Sequence, residues 1–316
     1  MNSIPLTFSE HQIVRTILGG RENTDPNALN LSVILLNNSG SHFKLHVFEN
    51  LLECNFKQII SVEHNSSNFT DDVSKKYPMI KFIVPQEETT DGELINIAMS
   101  EITSDYVLVI RDSLYIPSGF ILPHLAERLT KDGVYCIVPR LFDDKKTSIA
   151  CTFNPSAENT HFKVESSVGM TDGMKTLYPF DYIAIYNREK FIQLGGFDWT
   201  IKSPYWQNLD LALRSWLWGE ETRLTSLLQF TYISEPPIED RSWNLDYLRY
   251  YLKNELPKIK MEQGYIKKSS FIIFFFRSSC GFLEARRQFK EARNWVSKNK
   301  FRYKIDLQNF VQNWSK

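Results

Sequence analysis

GGFD at positions 195–198 and WQNLDLALR at positions 206–214 are the two segments from which this chain is best understood. Adjacent glycines permit a tight turn and a close approach of the backbone to a neighbouring group. The second segment carries apolar residues at helical spacing behind a start rich in amides and acid. Together they predict a glycine corner, an acidic loop and a helix start that form one wall of a cleft.

The composition fits one large core, or one core with an appendage. The chain has 316 residues, of which 42% are hydrophobic and 14% aromatic. The net charge is zero, but residues 258–316 hold 14 of the 37 Lys and Arg and only 4 of the 37 Asp and Glu. This asymmetry predicts an acidic body and a basic tail. The tail either faces an anionic partner or docks on its own body, and both interpretations stay open.

The expected location is the cytoplasm. The four cysteines form no C-x-x-C pair, which is typical of reduced core residues. The N-terminus lacks a basic start followed by an apolar run, so we expect no signal peptide. The longest strongly apolar run, Phe271–Phe276, has six residues, whereas a bilayer span needs about 20. We therefore expect a cytoplasmic protein that is either free or peripheral at the inner face of the membrane.

Strand-type apolar runs alternate with helical patterns through the first half of the chain. The order of these patterns predicts an α/β sheet with parallel strands, in which ligands bind beyond the carboxyl ends of the strands. The predicted strands are 31–36, 58–62, 79–84, 106–110, 134–138, 181–187 and 229–233. The predicted helices are 42–54, 93–102, 120–129 and 208–218.

Three regions follow from these patterns. Residues 139–178 are polar and irregular, and the pattern turns helical after Pro236-Pro237. We divide the chain into an N-terminal lead-in at 1–28, an α/β domain at 29–238 and a helical basic C-terminal extension at 239–316.

The glycine corner and the helix behind it resemble the acceptor-side motif of nucleotide-sugar glycosyltransferases with the GT-A fold, in its family-two form. That motif reads G-G-F-D followed by W-x-E-D-x-D-L-x-x-R. The preceding Arg188–Phe191 and Leu194–Asp198 are similar to the family's R-R-E-x-F and L-G-G-F-D. The resemblance covers about residues 30–235. It implies a Rossmann-like GT-A sheet that binds a nucleoside-diphosphate sugar. The C-terminal helical extension follows from the sequence pattern after Pro236-Pro237, outside the range of the resemblance.

Two donor-side segments also resemble the family. VEHNSS at 62–67 is similar to V-D-x-x-S, which implies that Glu63 accepts a hydrogen bond from the base, with Ser66 beside it. A carboxylate suits this task because it is only an acceptor. Asn96 stands at the asparagine of A-R-N-x-G, where Ile95 replaces the arginine. Ordinary loop contacts for Glu63 and Asn96 remain the alternative.

Arg111 and Asp112 stand where the family has its D-x-D or D-D-x motif. The resemblance implies that Asp112 binds Mg²⁺ or Mn²⁺, which bridges the donor diphosphate. One carboxylate can suffice, because hard cations also take phosphate oxygens and waters. Arg111 replaces the first acid. It either pairs directly with the diphosphate or forms a structural pair with Asp112.

The acceptor side lacks the expected base. An inverting transferase needs a carboxylate that takes the proton of the attacking hydroxyl, and the family places it in the E-D of W-x-E-D. Here Gln207 and Asn208 occupy those positions, and an amide accepts no proton at useful pH. Asp210, then Asp198, are the remaining catalytic candidates. The block also resembles W-x-x-E-N-L-E-I-S-F-R of the polypeptide N-acetylgalactosaminyltransferases, which retain configuration, so the stereochemistry stays open.

The tail contains a basic amphipathic helix. Its narrow apolar stripe is Phe282, Ala285, Phe289, Ala292 and Val296, with lysines and arginines around it. Such a helix either lies on an anionic membrane with Trp295 in the interface, or packs on the α/β domain with a solvated basic face. No nucleic-acid motif accompanies the charge, so we expect no nucleic-acid partner.

The sequence therefore predicts a glycosyltransferase that moves a sugar from a nucleotide donor to a saccharide, lipid-linked saccharide or protein acceptor. The rival hypothesis is a catalytically degenerate GT-A protein that acts as a binding or scaffold domain. A sugar-binding module without a donor site is a third interpretation.

Overall fold

A nine-stranded mixed sheet lies at the centre of the structure, with two separate two-stranded hairpins. This computed structural model describes residues 12–21, 23–37, 45–63, 71–158, 161–169, 171–278 and 280–314. The strands are β1 Arg15–Gly19, β2 Leu31–Asn37, β3 Ile59–Glu63, β4 Ile80–Pro85, β5 Tyr106–Arg111, β6 Leu114–Tyr115, β7 Cys136–Phe142, β8 Thr152–Glu158, β9 His161–Ser167, β10 Ala184–Asn187, β11 Thr222–Tyr232, β12 Lys258–Lys260 and β13 Gln263–Tyr265. The central sheet has the order β1, β4, β3, β2, β5, β10, β7, β11, β6.

Helices cover the sheet and make up most of the C-terminal region. They are α1 Leu45–Glu53, α2 Asp71–Lys76, α3 Asp91–Ser100, α4 Pro123–Thr130, α5 Arg188–Leu194, α6 Pro204–Leu217, α7 Leu245–Tyr250, α8 Ser270–Ser278, α9 Phe282–Lys298 and α10 Leu307–Asn313. A 3₁₀ turn spans Phe180–Tyr182, and a π-helical turn, Tyr251–Glu255, continues α7.

The predicted α/β class is confirmed. The first four predicted strands form β2 to β5, which pair in parallel in the order β4, β3, β2, β5. Every residue of β2, β3 and β5 is buried, which explains why these strands are mostly apolar rather than alternating. The helix predicted from 93 begins at Asp91, because Thr90 and Glu93 form a reciprocal capping box.

The sequence patterns missed the two-residue strand β6 and three larger pieces of sheet. β1 lies inside the predicted lead-in and pairs antiparallel with β4 at the edge of the sheet, where its side chains are exposed or half-buried. The hairpin of β8 and β9 falls within the region predicted to be irregular. The short β12–β13 hairpin interrupts the helical extension. All three larger pieces have polar faces. Their sequences therefore lack the regular alternation of apolar and polar residues that marks a half-buried strand.

Helix α6 is buried on nearly its whole circumference. The C-terminal region packs against the end of this helix. It begins with Pro204 at its first position, where no backbone N–H is needed. Trp216 packs against Trp314, with ring centroids 4.9 Å apart, and Trp218 stacks on Trp295 at 5.9 Å. The extension is therefore packed onto the α/β domain. Within the described residues, no helix is both long enough and apolar enough to cross a bilayer.

The apolar stripe of α9 faces the protein interior. Ala285, Phe289, Ala292 and Val296 are all buried, whereas Phe282 is 54% exposed. The stripe is therefore occupied by the chain's own side chains, which is the packing alternative left open by the sequence. Contact of the basic tail with a membrane stays a prediction.

We predict that Gly92→Ala destabilises the fold, although alanine is the better helix former. A Cβ at position 92 would lie 2.3 Å from the Oε1 atom of Gln207 and 2.7 Å from the Cβ atom of Phe197. Overpacking at such a site costs about 2 kcal/mol, which outweighs a propensity gain of up to about 1 kcal/mol. Chemical denaturation would measure the change in the free energy of unfolding.

Gly169→Ala is the matched control, because a Cβ at position 169 would have no atom within 4 Å beyond its chain neighbours. We expect it to change stability by less than about 0.5 kcal/mol. A Gly92→Ala protein as stable as the control would show that α3 and α6 do not approach this closely.

Candidate functional site

Polar residues end three neighbouring parallel strands on the carboxyl edge of the sheet. Asn37 at the end of β2 is in register with Glu63 at the end of β3, and Leu36 is in register with Arg111 at the end of β5. Strands lie about 4.8 Å apart, so Glu63 and the residue after β5, Asp112, are about 10 Å apart. This edge is where open α/β sheets bind ligands.

Glu63 is held by its neighbours at the strand ends. Its carboxylate accepts hydrogen bonds from the Nδ2 atom of Asn37 at 3.0 Å and from the hydroxyl of Ser61 at 2.8 Å, and its side chain is buried. A base-reading role for Glu63 stays a prediction. Ser66, predicted beside it, lies outside the described residues.

A cavity of about 580 Å³ opens beside Asp112 at the same edge. It is rich in acid: six carboxylates and one arginine line it, together with aromatic and polar side chains. The lining residues are Asp91, Arg111, Asp112, Ser113, Phe180, Asp181, Tyr182, Ser203, Pro204, Tyr205, Asn208, Tyr232, Glu235, Pro237, Ile238, Glu239 and Asp240. We call it the acidic cavity. Its lining crosses the boundary predicted at residue 238, so both predicted regions contribute to it.

Arg111 bridges two carboxylates at the floor of the acidic cavity. Its guanidinium pairs with Asp91 at the start of α3 and lies 2.7 Å from a carboxylate oxygen of Asp181. Burial alone would lower the pKa of Arg111, but these two carboxylates outweigh it and raise the pKa. Two acids therefore already neutralise the charge that was predicted to reach a diphosphate or Asp112.

Asp181 is a candidate functional residue that the sequence patterns missed. It and Tyr182 form a turn with positive φ angles of 53° and 65°, a conformation that costs free energy in residues other than glycine and that clusters at functional sites. Its carboxylate accepts a hydrogen bond from the hydroxyl of Tyr232 at 2.9 Å. Burial raises the pKa of Asp181 to about 6, although Arg111 and Tyr232 lower it.

Asp112 follows β5 and lines the acidic cavity, but it does not make a metal site with its neighbours. Its backbone N–H donates to the carbonyl of Leu36 at 3.1 Å, and the residue is buried, with 3% of its surface exposed. In the described part of the chain, no group of three or more His, Cys, Asp or Glu is arranged to hold a metal ion. The residues present therefore do not fit a cation held by protein ligands alone.

Asn96 supports the glycine corner. Its side-chain amide donates to the carbonyl of Phe197 at 2.8 Å and accepts from the N–H of the same residue at 2.9 Å. Such a two-bond clamp fixes the backbone beside Gly195 and Gly196, which both have positive φ angles. This is the loop contact that the sequence left open, and neither glycine lines the acidic cavity.

Gln207 connects α6 to three other parts of the site. Its Nε2 atom donates to Thr90 at 2.9 Å and to the carbonyls of Asp198 at 3.1 Å and Ile201 at 3.0 Å. Its Oε1 atom accepts from the N–H of Gly92 at 3.1 Å. A residue here must both donate and accept, which an amide does and a carboxylate does not.

Asn208 lines the acidic cavity beside this linkage. Its side chain donates to the carbonyl of Pro179 at 2.7 Å, just before the turn that holds Asp181. Tyr205, near the start of the same helix, also lines the cavity.

The two predicted catalytic acids lie in buried ion pairs. Asp198 pairs with Lys253; burial would raise its pKa, but Lys253 and the hydrogen bonds from Thr200 lower it to about 2. Asp210 is fully buried and accepts hydrogen bonds from Asn254 at 2.7 Å and Arg214 at 2.9 Å. Neither lines the acidic cavity. Their catalytic assignment stays a prediction.

A second cavity, of about 620 Å³, adjoins Asp198 and shares no lining residue with the acidic cavity. It lies between the loop after Asp198 and α9, with Lys202, Lys253 and Arg287 among its lining residues. These three cations pair with Glu93, Asp198 and Glu284 respectively. Their charges are thus already balanced within the protein.

One solved structure shares this architecture, and a second gives a weaker superposition. GalNAc-T7, solved with UDP, GalNAc and Mn²⁺, superposes with a TM-score of 0.58 at 12% sequence identity, covering 94% of this chain and 60% of that one. The mannosyltransferase PcManGT from Pyrobaculum calidifontis, in complex with GDP-Man and Mn²⁺, gives a TM-score of 0.46 at 10% identity, covering 92% and 76%. No family model matches the chain. No curated protein matches it either.

The predicted GT-A fold is confirmed by the first of these superpositions. The chain spans about three fifths of the length of GalNAc-T7. At this level of identity the likeness concerns the fold, and function has to be argued from the site itself.

We predict that Gln207→Glu destabilises the protein at neutral pH, although it restores the acid of the family motif. The introduced carboxylate would face the carbonyls of Asp198 and Ile201, which now accept hydrogen bonds. Burying an unpaired charge and losing these donors costs about 3 kcal/mol. The loss should shrink at low pH, where the introduced group is protonated and donates again. Chemical denaturation at pH 7 and pH 5 would measure both effects.

Gln229→Glu is the matched control, because Gln229 is exposed and its side chain donates to only one carbonyl, that of Ser226. We expect a change of less than about 1 kcal/mol there. Equal unfolding free energies for the two variants would contradict the linking role of Gln207.

Proposed function

We propose that this protein is a glycosyltransferase that moves a sugar from a nucleoside-diphosphate donor to a saccharide, lipid-linked saccharide or protein acceptor. The observation that carries the proposal is the acidic cavity, where Asp112 at the end of a parallel strand and Asp181 in a strained turn face the same space. The GT-A fold adds support by analogy. The donor sugar would lie in the cavity, with the nucleotide over the ends of β2 and β3.

The proposed donor contacts are those that the sequence resemblance implies. In the proposal, Asp112 faces the diphosphate, and Glu63 and Ser66 contact the base. Six carboxylates around one arginine disfavour a bare diphosphate. If the donor brought Mn²⁺ or Mg²⁺, Asp112 would be its protein ligand, and the cation would offset this repulsion. Asn96 and Arg111 act indirectly, since Asn96 fixes the glycine corner and Arg111 orients Asp181.

Asp181 is the proposed general base of an inverting transfer. The acceptor hydroxyl oxygen attacks the anomeric carbon, and the hydroxyl proton passes to the carboxylate of Asp181. The bond from that carbon to the donor phosphate breaks, and its electron pair leaves with the nucleoside diphosphate. A base with a pKa of about 6 is suited to a reaction near neutral pH. Asp210 and Asp198 remain the alternatives taken from the sequence.

A binding or scaffold domain is the second candidate function. The amide at Gln207 is fully used in structural contacts, and two acids neutralise Arg111. An amide in place of the family's acid, and an arginine whose charge is already neutralised, are both expected in a protein that has lost catalysis. Turnover separates the two candidates, because a degenerate domain would still bind donor.

We predict that a uridine or guanosine diphosphate sugar raises the melting temperature, and that Mn²⁺ alone does not. A ligand at 100 times its dissociation constant adds about 2.7 kcal/mol of stability. Mn²⁺ should act only with the nucleotide, because the described residues make no metal site of their own. Thermal-shift measurements with each donor, with and without Mn²⁺ or EDTA, test this prediction.

Asp112→Asn should weaken the shift caused by donor and Mn²⁺ together, whereas Asp144→Asn, at an exposed loop position, should not. If no nucleoside-diphosphate sugar stabilises the protein, a sugar-binding module without a donor site becomes the better explanation.

We predict that Asp181→Asn lowers turnover at least about 100-fold, the usual contribution of a general base. Since the base must be deprotonated, the rate of the unaltered protein should rise with pH up to about 6 and level off above it. The variant should lose this limb of the profile. Release of nucleoside diphosphate, followed from acid to mildly alkaline pH at temperatures where both proteins are folded, provides the measurement.

Asp240→Asn is the matched control, because Asp240 is an exposed carboxylate that lines the same cavity. It should change the rate by less than about fivefold. If Asp181→Asn kept the rate and the pH profile of the unaltered protein, Asp181 would not be the base.

A further inference from the structure

The helical hairpin of α8 and α9 presents large apolar side chains to solvent. Phe276 and Leu283 are each 80% exposed, and Ile272 and Ile273 are about 60% exposed. Exposed apolar groups scattered singly need no explanation, but a contiguous patch marks an interaction site. Residues 272, 273 and 276 lie on one side of α8, and Leu283 lies in the first turn of α9.

The apolar side chains on the inner side of the hairpin pack against one another. Phe271 packs on Phe289 and Phe282, with ring centroids 5.4 and 5.8 Å apart, and Phe274 is fully buried against Phe289. These contacts hold α8 against α9. The exposed side chains of α8 are therefore not the ones that hold the two helices together.

Exposed basic side chains lie close in the chain to these apolar residues. Lys267 and Lys268 precede α8, and Arg286 and Lys290 lie on the outward face of α9, three and seven residues after Leu283. All four are exposed. The nearest acid on α9, Glu284, is paired with Arg287 at 2.7 Å. The patch thus combines apolar side chains for an acyl boundary with cations for anionic headgroups.

We propose that the α8–α9 hairpin docks on an anionic lipid bilayer, with Ile272, Ile273, Phe276 and Leu283 inserted at the interface. Interfacial binding of this kind scales with buried apolar area and with attraction to anionic lipid. The surface differs from the stripe of α9, which is buried. Docking of this hairpin needs no transfer activity, so it stands apart from the proposed function.

Vesicle sedimentation of the full chain tests the proposal. The protein should sediment with vesicles of phosphatidylcholine and phosphatidylglycerol, much less with phosphatidylcholine alone, and less at high salt. Phe276→Ser combined with Leu283→Ser should reduce the partition coefficient about tenfold or more. Arg286→Gln and Lys290→Gln should each reduce it about fivefold on anionic vesicles only.

Phe301→Ser is the matched control, because Phe301 is a 67% exposed aromatic residue beyond the far end of α9. It should bind vesicles like the unaltered protein. All substituted side chains are exposed, so melting temperatures and donor hydrolysis in solution should not change. These readouts separate failure of docking from failure of the proposed function.

Three results would overturn the proposal. They are no sedimentation with anionic vesicles, equal binding to neutral vesicles, and sedimentation that persists in the Phe276→Ser, Leu283→Ser protein. Self-association that this double variant abolishes, without vesicle binding, would identify a second copy of the chain as the occupant instead.

Discussion

The side-chain amide of Gln207 is the interaction on which the geometry of the candidate site depends. It lies at the start of a buried helix and bonds to the cap of α3, to the backbone of Gly92 and to two carbonyls of the loop after the glycine corner. Its Oε1 atom also lies 3.2 Å from the hydroxyl of Tyr182, next to Asp181. One polar group thus sets the relative positions of the donor-side helix, the acceptor-side loop and the acidic turn. Buried polar networks specify a unique arrangement when each member is satisfied.

The same constraint accounts for the departure from the family motif. An acid at position 207 would serve as a base only if it faced substrate and retained a free oxygen, whereas here the environment consists of both donors and acceptors. The fold therefore uses this residue to orient its neighbours, and the proposed transfer needs a different group as its base. Asp181 is the proposed base because it lines the acidic cavity and burial raises its pKa to about 6. By contrast, the low pKa of Asp198 reflects a closed ion pair with Lys253.

The strands and their order could be predicted from the sequence, because buried parallel strands such as β2 and β5 are mostly apolar rather than alternating. The sequence predicted the site less well, because residue type does not show which partner a polar group meets. Asn96 and Arg111 match the expected positions, yet one clamps Phe197 and the other is neutralised by Asp91 and Asp181. Asp181 itself was hidden, since its positive φ has no signature when the residue is not glycine.

The C-terminal region shows why amphipathic patterns alone do not identify a membrane surface. A stripe at helical spacing reports that one face of α9 is buried, and the structure shows that the chain itself covers it. The side chains available to a partner lie instead on α8, where FIIFFF is apolar on both sides of the helix. On one side of α8, Phe271 and Phe274 pack against α9. On the other side, Ile272, Ile273 and Phe276 are exposed. A solvated helix normally places polar residues there. Exposed apolar side chains with lysines and arginines nearby in the chain are the combination on which the proposed docking to an anionic bilayer rests.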